Sequence, residues 1–202
     1  MEKEFGSLIG GLWKTSGEVL EVKSPYDAKT VGKVHLAGPA LIEEALASAT
    51  EAFKVLKKMP SWRRAQALLK TADGIEARGE ELARTITLES GKPIRDSRGE
   101  VKRAALTFRL AAEEAGRLGG EVVPLDIAPG SDGRFAIVRR FPIGPVLGIT
   151  PFNFPLNLVA HKVAPAMASG NPIIIKPAPR TPLTALMLGE IVTESLWPSG
   201  GL

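Results

Sequence analysis

Helical periodicity is the strongest pattern in the first part of the chain. Apolar residues recur every three or four positions through consecutive segments, which is the spacing of one helix face. The predicted helices span residues 39–58, 61–77, 80–90 and 93–115. Pro39 and Pro93 suit first helical turns, Ser61 is a predicted N-cap, and Gly91 and Gly116 end two of the segments. The pattern therefore predicts a layer of successive helices.

Short runs of β-forming residues flank this helical layer. Residues 18–22 and 30–35 surround the turn signal at residues 24–27 and predict a small hairpin. Residues 121–125 and 134–141 are joined by a segment rich in Pro and Gly, which predicts a second hairpin with a long loop. An isolated hairpin is marginally stable in water, so we expect this second hairpin to pack against something.

The last part of the chain alternates between strand and helix signals. The predicted strand, helix, strand and helix span residues 145–149, 156–168, 172–175 and 182–194. Two strands separated by one helix form a βαβ unit, so we expect them to be parallel. Ligands of open α/β sheets bind at the carboxyl ends of the strands. Asn153 and Lys176 are the polar residues that follow those two ends.

Composition excludes several classes of protein. No run of about 18 apolar residues is present, so no membrane span is expected. The first residues lack a signal-peptide pattern and the chain has no cysteine, which together predict a cytoplasmic protein. The net charge of +4 is spread over segments where Lys and Arg alternate with Glu and Asp, and aromatics are only 5%, so nucleic acid is not an expected partner. The chain has no cluster of His or Cys residues, so no metal site is expected.

Several short motifs resemble the NAD(P)-dependent aldehyde dehydrogenase superfamily when they are taken together. They are Gly144-Pro145, Pro151-Phe152-Asn153-Phe154-Pro155, the run Lys162 to Gly170, Lys176-Pro177 with Thr181-Pro182, and upstream Glu89-Ser90-Gly91-Lys92-Pro93 and Gly99-Glu100-Val101. The resemblance covers nearly the whole chain. It implies an α/β fold that forms part of a Rossmann-like, parallel-sheet nucleotide-binding domain. Residues 1–120 would form the N-terminal hairpin and helical layer, 121–141 a protruding oligomerisation hairpin, and 142–202 the first βαβα units.

The resemblance also implies a set of site residues. Asn153 would be the side-chain half of an oxyanion hole, and Lys162 would support it. The cofactor, NAD or NADP, would be bound by Ile149, Thr150, Pro151, Phe152, Lys176, Ala178, Pro179 and Arg180. A small aldehyde substrate would face Arg103, Asn157, Leu158 and His161. The aromatic and proline neighbours of Asn153 predict a rigid, nearly dry setting, yet from the residues alone a turn residue before Phe-Pro is the favoured interpretation, and only the flanking motif favours the oxyanion role. Arg180 is equally a solvated cation, and the choice between NAD and NADP stays open.

Members of this family use a cysteine nucleophile, whereas this chain has none. We also find no segment like that of the family's general-base glutamate. The chain therefore resembles the N-terminal portion of a longer dehydrogenase and is predicted to be inactive alone. The motifs are most similar to those of a lactaldehyde and phosphonoacetaldehyde dehydrogenase-like branch. Asn157 and His161 are four residues apart and share one helix face, and with Arg103 they predict a small polar or anionic aldehyde. The family's hairpin arm implies a homo-oligomer, dimer or tetramer. The alternatives are a non-catalytic fragment that binds nucleotide or pairs through its hairpin, or a domain with no function of its own.

Overall fold

The computed structural model describes residues 3–15 and 17–202 and has a mixed α/β architecture. Its strands are β1 Lys3–Phe5, β2 Ser7–Ile9, β3 Leu12–Lys14, β4 Val19–Lys23, β5 Thr30–His35, β6 Gly120–Pro124, β7 Phe135–Arg139, β8 Val146–Ile149 and β9 Ile173–Lys176. Its helices are α1 Pro39–Leu56, α2 Ser61–Ala77, α3 Gly79–Ser90, α4 Ile94–Ala115, α5 Asn157–Ser169 and α6 Leu183–Thr193. None of these helices combines the length and the apolar content needed to cross a bilayer.

The helical layer matches the periodicity of the sequence. Helices α2 and α4 pack closely together, and α4 also contacts α3 and α5. The apolar faces of these helices form the core, in which Leu68, Ile75, Leu82 and Phe108 are completely buried. Helix α3 ends at Gly91, whose φ of 74° is the left-handed conformation that glycine adopts without strain.

Two residues at helix starts hold positions that differ by one from those predicted. Ser61 is the first helical residue of α2 and not its N-cap, because Pro60 holds the cap position with an extended backbone. The Pro60 carbonyl then accepts the amides of Arg63 and Arg64, and no side chain caps this helix. Pro93 similarly precedes the first residue of α4. A proline suits the position just outside a helix because its φ is already fixed and it lacks an N–H to be satisfied.

The N-terminal sheet contains more strands than the sequence pattern predicts. Strands β4 and β5 form the predicted antiparallel hairpin, but β1 adds to β5 as a parallel neighbour. Strands β2 and β3 form a further hairpin around Gly10 and Gly11, which both have positive φ values. Strands of three residues are too short to show alternation, so the sequence did not reveal them.

The second hairpin, β6 and β7, is antiparallel as predicted. Its apolar side chains remain exposed to solvent: Val122 is 67%, Phe135 63% and Ile137 66% exposed. Within the described residues these side chains therefore lack the packing partner that we expected for an isolated pair of strands.

The βαβ unit has the predicted parallel pair, in which β8 lies beside β9 with Ile149 opposite Lys176. Gly148 permits the close packing of this unit. A Cβ atom added there would lie 2.5 Å from Ile175 Cδ1 and 3.3 Å from Lys162 Cδ. The absence of a side chain therefore leaves room for the neighbouring strand and for α5.

Buried glutamates from the helical layer cap the helices of this unit. Glu89 is 3% exposed and accepts the amides of Leu183 (2.8 Å) and Thr184 (3.1 Å) at the start of α6, together with the Thr184 hydroxyl. Burial raises the pKa of Glu89 to about 7, in opposition to these hydrogen bonds. The carboxylate satisfies amides that the first turn of a helix leaves unpaired.

Candidate functional site

The carboxyl ends of β8 and β9 meet at one edge of the sheet. The Thr150 amide donates to the Lys176 carbonyl over 3.2 Å, which continues the ladder just past β8. The Thr181 hydroxyl donates to the Phe152 carbonyl over 3.3 Å and ties the two following loops together. The segments that carry Asn153 and Lys176 therefore leave the sheet side by side, which is where the sequence pattern predicts a ligand site.

Asn153 lies in the loop between β8 and α5 and offers an unoccupied amide. Its backbone carbonyl accepts a hydrogen bond from Lys92 Nζ over 3.0 Å. Its side-chain amide has no hydrogen-bond partner among the described residues. The side chain is exposed, so the nearly dry setting expected from its aromatic neighbours is wrong for this chain. The reason is that Phe152 is itself 52% exposed and Phe154 packs against cations instead of covering the amide.

Two cations lie over the ring of Phe154. Lys92 Nζ is 3.9 Å and Arg103 Cζ is 5.0 Å from the ring centroid. Aromatic faces attract cations at these distances. The structure thus places Arg103, a predicted substrate residue, next to the residue that follows Asn153. Lys92 is a site residue that our sequence reasoning missed, although it belongs to a motif that carried the family resemblance.

Glu100 is the second residue that the sequence reasoning missed. It is completely buried, contacts Lys92 Nζ through Oε2, and accepts the amides of Leu156 (3.0 Å) and Asn157 (3.1 Å) through Oε1. Glu100 therefore caps the N-terminus of α5, as Glu89 caps α6. A glutamate in a charged helix usually faces solvent, and only its place beside Val101 in the Gly-Glu-Val motif was a signal that it does not.

The predicted cofactor residues lie along the carboxyl edge of the two strands. Lys176 and Arg180 are exposed, and no acidic side chain of the described residues pairs with either. Arg180 Cζ lies 5.6 Å from the centroid of the Phe152 ring. The other predicted positions differ in exposure: Ile149, Pro151 and Pro179 are exposed, whereas Thr150 and Ala178 are buried. This edge therefore presents two free cations beside an apolar surface.

The predicted substrate residues on α5 are not equally accessible. Asn157 is 8% exposed because the first turn of α5 packs against α4, and its Oδ1 is buried without a partner. Leu158 is half-buried and His161 is exposed. Lys162 is half-buried and lies against the backbone of Gly148 on β8. Within this chain, His161 is open to a ligand and the side-chain oxygen of Asn157 is not.

Comparison with known proteins places these motifs in a family. Residues 13–202 match the family model described as the aldehyde dehydrogenase family. The chain belongs to this family. The structure describes no cluster of three or more His, Cys, Asp or Glu side chains that could hold a metal ion within residues 3–15 and 17–202.

The similarity to individual aldehyde dehydrogenases extends over nearly the whole chain. A 3-sulfolactaldehyde dehydrogenase from Priestia aryabhattai is 43% identical over 200 residues, which is 99% of this chain and 42% of the relative. A lactaldehyde dehydrogenase from Methanocaldococcus jannaschii is 38% identical and covers 93% of this chain and 39% of the relative. The solved structure of aldehyde dehydrogenase 21 from Physcomitrella patens, in complex with the reaction product succinate, has a TM-score of 0.96 at 43% identity and covers 100% of this chain and 42% of that chain.

These aldehyde dehydrogenases are much longer than the present sequence. The chain spans about two fifths of the length of the curated relatives that it matches, and it corresponds to their N-terminal portion. Matching solved structures include an NAD-dependent and an NADP-dependent enzyme. The fold and the family membership are therefore those that the sequence motifs predicted.

Proposed function

We propose that the whole protein containing this chain oxidises an aldehyde to a carboxylate with NAD or NADP. The observation that carries the proposal is the free side-chain amide of Asn153, which lies at the strand edge that also presents Lys176. An N–H donor held by the surrounding backbone can stabilise the negative charge that develops on a carbonyl oxygen under attack. Asn153 then serves as one donor of the oxyanion hole.

In this proposal the nucleophile comes from outside these 202 residues, since the sequence has no cysteine. The general base also comes from outside them, since no segment resembles that of the family's general-base glutamate. A thiolate would add to the aldehyde carbon and leave the oxyanion facing Asn153. Lys162, half-buried against β8, supports the strand that leads into the Asn153 loop. These residues position the reacting carbonyl and stabilise its charge, and they transfer no proton themselves.

The exposed cations at the strand edge fit a dinucleotide. When bound, the cofactor accepts a hydride from the substrate. Lys176 has no acidic partner among the described residues, so its ammonium is available to ribose hydroxyls. Arg180 likewise has no acidic partner in the part of the chain that the structure describes, and it follows Pro179. By the family resemblance, many NAD-preferring members carry an acidic residue at the position of Pro179. No carboxylate at that position repels a 2′-phosphate, and this favours acceptance of NADP as well as NAD.

We expect Lys176→Ala in the whole enzyme to raise the KM for the cofactor by about tenfold, the value of one charge-assisted hydrogen bond. The rate at saturating cofactor should change less, because Lys176 lies at the ribose end and not at the reacting carbon. Steady-state kinetics at varied NAD and NADP measure both quantities. Lys70→Ala, an exposed lysine on α2, is the matched control. An unchanged cofactor KM would assign Lys176 to the fold and not to the cofactor.

The substrate is a small polar or anionic aldehyde. Arg103 is an exposed guanidinium over Phe154, one residue beyond Asn153, and no acidic side chain of the described residues pairs with it. Guanidinium groups bind carboxylates and other oxyanions in a bidentate way. One relative is named for an anionic aldehyde, 3-sulfolactaldehyde, and one of the solved structures is a complex with the anion succinate. His161, an exposed imidazole on α5, is the second polar group that we assign to the substrate side.

Arg103→Ala should lower kcat/KM for acid-bearing aldehydes by about 10- to 100-fold, the range of a lost charge-assisted contact. The value for hexanal should change little, because an apolar chain gains nothing from the guanidinium. A panel of short hydroxy- and acid-bearing aldehydes against hexanal, with wild type and Arg103→Ala, tests the activity and the substrate class together. Arg95→Ala, whose side chain is 92% exposed on the same helix, is the control. A wild-type preference for hexanal would refute this substrate class.

The hairpin of residues 121–141 supports a further proposal about assembly. Its exposed apolar residues fit a contact with a second copy of this chain, which would give a dimer or tetramer. We also propose that the whole protein is cytoplasmic.

A second candidate function follows from the absence of cysteine. In this alternative the chain of 202 residues binds nucleotide or pairs through this hairpin without catalysis. Nucleotide binding and sedimentation of the 202-residue chain separate that candidate from a chain with no function of its own.

A further inference from the structure

The loop between β8 and α5 is held by side chains from the helical layer. This loop carries Asn153, and its backbone forms neither a strand nor a helix. Lys92 lies between the end of α3 and the start of α4, and its Nζ donates to the Asn153 carbonyl over 3.0 Å. The same ammonium pairs with Glu100 and lies 3.9 Å from the Phe154 ring centroid. One side chain thus contacts two successive residues of the loop.

Glu100 fixes the other end of the same loop. Its Oε1 accepts the amides of Leu156 and Asn157, the first groups of α5, while its Oε2 contacts Lys92. A carboxylate at this position is favoured by the partial positive charge of a helix N-terminus. The Glu100 side chain is 0% exposed and that of Lys92 is 15% exposed, so solvent screens this pair far less than a surface ion pair.

We propose that Lys92 and Glu100 are positioning residues that set the place of the Asn153 amide. The proposal rests on the function proposed above for Asn153. An oxyanion donor acts only when it lies about 2.7–3.1 Å from the position that the oxyanion will occupy. The Asn153 side chain has no partner of its own among the described residues, so its direction depends on its backbone. Lys92 holds that backbone at the residue itself.

The three contacts of Lys92 also explain why a lysine ammonium suits this position. A lysine donates three hydrogen bonds from one centre, so it can bind a carbonyl and a carboxylate and still face a ring. Glu100 in turn fixes Lys92 from a buried position. Displacements of about 1 Å far from the reacting atoms are enough to slow an enzyme by about 10²-fold. Removal of Lys92 is therefore expected to act on the rate through Asn153.

A double-mutant cycle in the whole enzyme tests this inference. Lys92→Met should slow single-turnover NAD(P)H formation by about tenfold and leave the KM for the cofactor unchanged. In the Asn153→Ala background the same substitution should cost less than about twofold, because the amide that it positions is gone. Lys102→Met, an exposed lysine on α4, should have no effect in either background. A role confined to stability would not produce this dependence on Asn153.

Two further variants keep the test informative if Lys92→Met folds poorly because it leaves Glu100 unpaired. Lys92→Gln retains a donor for the Asn153 carbonyl and should lose less rate. Glu100→Gln retains an acceptor for the α5 amides and should resemble Lys92→Met. Equal losses from Lys92→Met or Lys92→Gln in both backgrounds would overturn the positioning role while leaving Asn153 as the oxyanion donor. No loss in Asn153→Ala alone would instead overturn the proposed oxyanion role on which this inference rests.

Discussion

Asn153→Ala should slow acyl-enzyme formation in the whole enzyme by about 10²- to 10³-fold, the usual cost of removing one oxyanion donor. The side-chain amide is the only part of Asn153 that the substitution removes, since the contact with Lys92 uses the backbone carbonyl. The fold around the site should therefore persist. The kcat should fall with kcat/KM, because the amide acts on the transition state more than on the bound aldehyde.

Single-turnover NAD(P)H formation measures this prediction without interference from product release. Asn153→Asp is the matched control, because it has nearly the same shape but an ionised carboxylate that can only accept hydrogen bonds. It should be at least as slow as the alanine variant, since its charge opposes the oxyanion. Cofactor binding should be unchanged in both variants. An unchanged rate in Asn153→Ala would remove this residue from the mechanism.

The second large effect concerns the stability of the 202-residue chain and its dependence on pH. Burial raises the pKa of Glu89 from its ordinary value of 4.5 to about 7. Between these values the folded chain binds more protons than the unfolded chain, so its stability falls as pH rises. The contribution is fully present below about pH 4.5 and is lost above about pH 7. The shift corresponds to about 3 kcal/mol in the free energy of unfolding.

Urea unfolding at about pH 5 and about pH 7.5 measures this loss, and Glu89→Gln should largely remove it. Glutamine remains neutral at every pH and keeps one oxygen for the Thr184 amide, but its NH2 group cannot accept the Leu183 amide. The variant therefore loses that hydrogen bond at both pH values, while the pH dependence itself disappears. The matched control is Glu113→Gln, an exposed glutamate on α4, which should leave the pH dependence unchanged. The pKa of Glu81 is lowered to about 2, mainly by a hydrogen bond from Arg78. Its contribution to the free energy of unfolding is therefore lost only as the pH falls below about 4.5, outside the range compared here. A Glu89→Gln variant with the wild-type slope would contradict this prediction.

The elements that depend on local signals were predictable from the sequence. The helices of the layer follow apolar periodicity, and Gly91 and Gly116 mark their ends because glycine and helix breakers act within one turn. The parallel pairing of β8 with β9 follows from the helix between them. The carboxyl edge with Asn153 and Lys176 follows from that pairing. These are properties of short stretches and of chain connectivity.

The contacts that hold the site were not predictable in the same way. Glu100 lies 57 residues before Asn157, and Lys92 lies 61 residues before Asn153. A periodicity within one helix cannot show which distant backbone groups a charged side chain will satisfy. The prediction of a nearly dry setting for Asn153 was also wrong, because Phe152 and Phe154 flank Asn153 in sequence but do not cover its side chain in the structure. Tertiary packing decides both results.

The most direct test of the proposed function compares the purified whole protein with the 202-residue chain. Both are incubated with an acid-bearing short aldehyde and either NAD or NADP, and cofactor reduction is followed with time. The whole protein should form NAD(P)H in an aldehyde-dependent manner, whereas the chain with no cysteine should form none. Reduction by the 202-residue chain, or no reduction by the whole protein with any aldehyde of the panel, would contradict the proposal.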